Sequence, residues 1–186
     1  MNTALAISIS LFFISCDHRL NIPNDFRTVY QTDSTSLIEW TDGKVYYRSS
    51  KPIENYYIDN KTYTKWKSEK FICLSHPNGS DAWTDIILPF KNNNYRLFEN
   101  ALEYDKRSGF VVYETDSANF KLIVENIESR QREFIGKDWL NCESVFPHYC
   151  IDSLKIKNKV LYIEWVTPNF IDKSNIREIK TINLKI

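Results

Sequence analysis

Short runs of β-branched and aromatic residues, broken about every ten positions by Asp, Asn, Gly or Lys-rich stretches, occupy most of the chain from Leu37 to Ile186. Runs this short nucleate helices poorly, and their composition suits a pleated, half-buried surface. Leu37-Ile38-Glu39-Trp40 and Val45-Tyr46-Tyr47 flank Asp42-Gly43, a pair that tolerates positive φ and so predicts a hairpin. Tyr56-Tyr57-Ile58 and Tyr63-Thr64-Lys65-Trp66 surround a second turn at Asp59-Asn60-Lys61. Phe71-Ile72-Cys73-Leu74 and Ile86-Ile87-Leu88 follow, separated by a loop over His76 to Asp81. Phe110-Val111-Val112-Tyr113 and Leu122-Ile123-Val124 are nearly continuous in apolar character, which predicts strands covered on both faces.

The last third repeats the pattern. Leu154-Lys155-Ile156 and Val160 to Trp165 meet at Lys157-Asn158-Lys159, and Leu161, Ile163 and Trp165 have the spacing of two that marks one buried strand face. Ile182, Leu184 and Ile186 have it too, so the C-terminal strand is expected to be held in a sheet. Two segments fit helices instead: the stripe Leu97, Phe98, Ala101 and Leu102, and Glu128 to Trp139. The pattern as a whole predicts an all-β chain, an antiparallel β-sandwich or barrel-like domain with a small propeller-like arrangement as alternative, and at most one or two short helices.

The start of the chain has another character. Ala4 to Ile14 is an uncharged apolar run, about the length of a secretory leader and too short to cross a bilayer as a helix. It ends in Phe13-Ile14-Ser15-Cys16. This tetrapeptide resembles the lipobox of bacterial lipoproteins, in which an apolar residue, a variable one and a small one precede the cysteine that is acylated and exposed by cleavage. The resemblance covers the first sixteen residues and implies a signal peptide over 1–15 and lipidation of Cys16, with attachment to a membrane of the cell envelope, on its periplasmic or outer surface. Residues 16–35 are polar and irregular and read as a tether whose second half lies along the fold, and 36–186 as a single β-rich domain.

The 24 basic and 24 acidic residues cancel. A neutral chain with scattered basic residues lacks the bulk charge that nucleic acid or anionic lipid requires, so a nucleic-acid partner is not expected. With Cys16 lipidated outside the cytosol, Cys73, Cys142 and Cys150 stand in an oxidising compartment, and three thiols cannot all pair within one chain. A disulfide between Cys142 and Cys150 closes a short loop worth roughly 2.5 kcal/mol, while Cys73 paired with either closes a longer one. The first pairing leaves Cys73 as a buried thiol.

Cys73 with His76, and Cys142 with His148 and Cys150, offer zinc-type ligands, but no Cys-x-x-Cys knuckle is present and neither metal nor other cofactor is expected. No Gly-x-Ser-x-Gly elbow or phosphate-cradling glycine run occurs, and no catalytic residue is assigned. A hydrolase would have to use dispersed carboxylates, such as Glu103 with Glu114 or Asp81 with Asp85, or a Cys/His pair.

Aromatic residues crowd the first half. Tyr46-Tyr47 and Tyr56-Tyr57, as tandem rings on strands, should each place one ring outward, and together with Trp66 and Trp83 they are the candidate ligand-binding residues. Cross-strand aromatic packing is the competing account of the same rings. The functional expectation is a membrane-anchored, non-enzymatic binding domain for a protein or glycan; the alternatives are an immunity-type lipoprotein that neutralises a toxin and a hydrolase.

Overall fold

The computed structural model describes residues 25–30, 32–115, 121–136, 146–168 and 175–186. Most turn signals reverse the chain onto the preceding strand, while that at Asp59-Asn60-Lys61 carries it into another sheet, and the described residues form four antiparallel sheets. The first holds β1 (Phe26–Tyr30), β2 (Thr35–Thr41) and β3 (Tyr46–Arg48), with the short β4 (Ile53–Glu54) also on β2. The second is the meander β5 (Tyr63–Lys67), β6 (Phe71–Pro77), β7 (Trp83–Pro89) and β8 (Arg96–Glu99). The third is the meander β9 (Ala101–Asp105), β10 (Phe110–Glu114), β11 (Leu122–Asn126) and β12 (Arg132–Ile135). The fourth contains β13 (Ile151–Lys157), β14 (Val160–Pro168) and β15 (Asn175–Asn183). Among the described residues no sheet closes into a barrel, and they have the all-β, antiparallel sandwich architecture that the patterning predicts.

Side-chain alternation decides how the sheets meet. Ile72 and Leu74 of β6 and Ile86 and Leu88 of β7 pack with Ile38, Trp40 and Ile53 of the first sheet. Phe71, Cys73 and Ile87, one position out of phase, pack with Ala101, Tyr104 and Val111 of the third. Phe110, Val112, Leu122 and Val124 then join Leu161, Ile163 and Trp165 of the fourth. The two middle sheets are therefore buried on both faces, which is why their strands read as unbroken apolar runs.

Local expectations hold at most turns. The Asp42 side chain accepts the backbone N–H groups of Lys44 and Val45, each at 2.8 Å, while Gly43 takes φ +92°. Asn158 and Lys159 both adopt left-handed conformations between Lys157 and Val160, a two-residue turn whose twist matches the strands it joins. The stretch 26–30, read as the half of the tether that lies along the fold, is strand β1. The C-terminus is tied down: Leu184 is buried and donates its N–H to the Lys159 carbonyl, and Lys185 donates to Glu133 of the third sheet.

Several expectations are corrected. The stripe Leu97, Phe98, Ala101 and Leu102 is not helical, because Asn100, at φ +47°, divides it into β8 and β9 of different sheets. Glu128 to Ile135 contains a turn, with Arg130 at φ +64°, followed by β12; Trp139 lies outside the described residues. Tyr56 and Tyr57 lie in a 3₁₀ turn, Asn55–Ile58, rather than a strand. β6 runs on through His76 and Pro77, so the loop begins at Asn78.

Asp105 joins two sheets. Its carboxylate accepts the N–H groups of Arg107 and Ser108 within its own turn and that of Asn158 in the fourth sheet. Burial raises its pKa, but these backbone donors outweigh burial and hold it below the usual carboxylate value. The stabilisation is therefore present above the ordinary carboxylate pKa of about 4 and is lost as pH falls through the lower folded value. Asp105→Ala should cost about 1–3 kcal/mol at neutral pH by removing three partly buried charge-assisted hydrogen bonds. Urea titrations at a series of pH values should show the gap from wild type narrowing once Asp105 is protonated, and a gap that persists unchanged in acid would refute this role.

Candidate binding groove at Trp83

A bulge in β5 creates the groove. Tyr63 pairs with Ser75 and Trp66 with Cys73, but the register shifts between Thr64 and Trp66, so Lys65 is the extra residue. A bulge re-aims side chains, and here Lys65 reaches the face that meets the third sheet. Its ammonium lies 2.7 Å from Asp85 Oδ2, an atom that also accepts the Tyr104 hydroxyl at 2.7 Å. Asp85 is wholly buried, and its Oδ1 has no hydrogen-bond partner among the described residues. Burial, then the Asp85 charge, push the neighbouring Cys73 thiol far above its ordinary pKa, so this free cysteine is inert. Burial likewise raises the Tyr104 phenol, keeping it a proton donor.

Trp83 stands at the centre. Its indole N–H is fixed on the Ala101 carbonyl at 3.1 Å, and Lys65 Nζ lies 5.7 Å from a ring of the indole. On another side the His148 ring lies 5.8 Å away, between Phe146 at 5.5 Å and Tyr149 at 4.4 Å. Glu114 holds the histidine twice through one oxygen, from the backbone N–H at 2.6 Å and to Nδ1 at 2.9 Å. Tyr149, in the 3₁₀ turn Pro147–Cys150, is exposed, and interaction with the Asp81 side chain raises its phenol pKa. Tyr63, Lys65, Ser75, Gly79, Ser80 and Trp83 line a groove of about 210 Å³. Small-molecule pockets run to roughly 300–1,000 Å³, so this groove suits one ring or side chain of a larger ligand.

The other candidate rings are dispersed. Tyr47 stacks on Trp40 at 5.8 Å and approaches Phe90 at 6.0 Å, while Tyr46 beside it is exposed. Tyr56, also exposed, meets Tyr57 at 5.3 Å and His76 at 4.8 Å. Trp66 packs edge-on against Tyr104 at 4.9 Å under Lys106. Each tandem pair thus places one ring outward, and packing between elements accounts for Tyr47, Tyr57 and Trp66. Of the candidate rings, Trp83 lines the groove.

The candidate chemical pairs are separated by their engagements. Cys73 packs towards the third sheet, whereas His76, three residues on, points to the opposite face and lies against Tyr56 and Tyr57. Cys150 is buried in the core between the third and fourth sheets, away from the His148 contacts, and Cys142 lies outside the described residues. Asp85 is paired with Lys65, and Glu114 with His148. Among the described residues no group of three His, Cys, Asp or Glu side chains could hold a metal ion. No described helix is long and apolar enough to cross a membrane, and the leader and Cys16 lie outside the described residues.

Sequence reasoning missed the Lys65–Asp85–Tyr104 cluster and the joining of His148 to Trp83. Both depend on a bulge and on contacts between sheets, and neither leaves a spacing signal. Comparison of the chain with protein-family models, with curated proteins and with solved structures finds no match.

Proposed function

We propose that the protein is a lipoprotein anchored through Cys16, and that its domain is a non-enzymatic binding module whose Trp83 groove receives part of a glycan or protein ligand. The observation that carries the binding half is the groove itself. A rigid indole, fixed by its own N–H and flanked by Lys65 and His148, with the exposed Tyr63 in the same lining, gives large contact area at little entropy cost. Its size favours an inserted ring over an enclosed substrate, which sets the hydrolase reading second. The anchor half is supported by the apolar run Ala4 to Ile14 ending at Ser15-Cys16. In the oxidising compartment so implied, Cys142 and Cys150 form the short-loop disulfide and Cys73 remains the buried thiol.

Two variants of the full chain test the reading. Cys16→Ala should move the protein from the membrane fraction to the soluble one, and unchanged fractionation contradicts the anchor. Trp83→Ala should abolish capture of envelope glycan or protein ligands by the native lipoprotein, with unfolding midpoints measured alongside. If a ligand is found and its affinity is unchanged in a folded Trp83→Ala protein, binding lies elsewhere.

A further inference from the structure

At the opposite end of the second sheet from Trp83, where Phe71 pairs with Pro89, a separate cleft of about 440 Å³ opens between that sheet and the β11–β12 turn. Four cationic side chains line it, Lys70, Lys91, Arg96 and Arg130, against the single carboxylate of Glu128. In a chain whose charges otherwise cancel, this is a local concentration of positive charge. Glu128 is already held there by Lys91 at 2.9 Å and Lys70 at 3.5 Å, and the Lys91 hydrogen bond, the largest influence, draws its pKa below the usual value. A carboxylate is thus what these ammonium groups already coordinate.

One carboxylate does not satisfy the set. Arg96 spends its Nη2 on the buried Glu125, which also takes Arg132 and the Tyr113 hydroxyl. Its Nη1 is buried and has no hydrogen-bond partner among the described residues. The guanidinium also lies 5.3 Å from the Phe98 ring, so Arg96 lends the cleft a positive charge that its own hydrogen bonds do not saturate. Phe71, Pro89 and Ile127 supply an apolar wall beside the cations.

We propose that this cleft binds the phosphate group of an amphiphilic or ring-bearing ligand, its oxygens on Arg130, Lys91 and Lys70 beside the Arg96 charge and its carbon body on the apolar wall. The phosphate belongs either to a soluble organic phosphate or to a lipid headgroup. The two sources share the recognition chemistry and separate in the experiment.

The test reads local lysine reactivity in the full-length protein held in neutral detergent micelles. Acylation of each lysine is followed by mass spectrometry with inorganic pyrophosphate added, with phosphatidylglycerol mixed into the micelles, and with neither. Expected is at least a threefold fall in acylation at Lys70 and Lys91, with the remaining lysines unchanged, in one or both arms. Protection by pyrophosphate identifies a soluble ligand; protection by phosphatidylglycerol alone identifies a headgroup. Arg130→Glu, an exposed substitution that leaves Lys70 and Lys91 free to report, should abolish the protection. No protection in either arm, a uniform fall across all lysines, or protection that survives Arg130→Glu would each overturn the proposal.

Discussion

Lys65→Met should destabilise the domain by about 3–5 kcal/mol, the usual cost of leaving a buried charge without its partner. Asp85 is wholly buried, and its one hydrogen-bonded oxygen depends on Lys65 and Tyr104. Without the ammonium, the wholly buried side chain keeps only the Tyr104 hydroxyl as partner among the described residues. With a urea slope of about 2 kcal/mol/M the midpoint should fall by about 2 M. Tyr104→Phe removes a single hydroxyl and should cost only about 1 kcal/mol. Replacing both charges, as Lys65→Met with Asp85→Leu, should recover most of the loss, because an apolar pair of similar volume no longer carries the desolvation penalty. A single Lys65→Met variant within about 0.5 kcal/mol of wild type, the range of an ordinary surface change, would show that the ion pair does not organise this face.

Trp40→Ala is expected to have a comparable effect by a different route. Trp40 is fully buried between the first and second sheets, stacks on Tyr47 at 5.8 Å and donates its indole N–H to the Pro89 carbonyl at 2.9 Å. Truncating it leaves a large cavity, typically about 3–5 kcal/mol for an aromatic cut to alanine, and leaves the Pro89 carbonyl without that donor. Trp40→Phe keeps a ring in the core and should lose much less. Hydrogen exchange adds a spatial test. The first sheet meets the second through the cluster Ile38, Trp40, Ile53, Ile72, Leu74, Ile86 and Leu88, so amides of β2 should lose protection before those of β10 and β11. Equal loss throughout would mean that the sheets unfold as one unit.

The contrast between these two residues marks what the sequence could disclose. Trp40 sits in a β-favouring run beside an Asp-Gly turn, so its strand was legible, and the structure buries it with Ile38 on one face. The apolar runs at Phe110 and Leu122 likewise announced strands covered on both sides. Lys65 was different. One extra residue in β5 turned it towards Asp85, and nothing in Tyr63-Thr64-Lys65-Trp66 signals a bulge rather than a solvent-facing lysine. Asn100 shows the same blind spot. A single left-handed residue split what read as a helical stripe into strands of two sheets, since propensity over a few positions is weaker than the pairing of β8 with β7 and of β9 with β10. Trp83 was legible as an aromatic candidate, but its partner His148 comes from a distant part of the chain. The grouping is a product of sheet stacking and has no local signature.

Compartment and role meet in the chemistry of the mature terminus. Intact-mass and N-terminal peptide analysis of the native protein, purified from membranes without reduction, measures it directly. The account predicts a chain that begins at Cys16 and carries a mass increment of acyl chains on that residue. A protein that retains an unmodified Met1 and an unacylated Cys16 would contradict it.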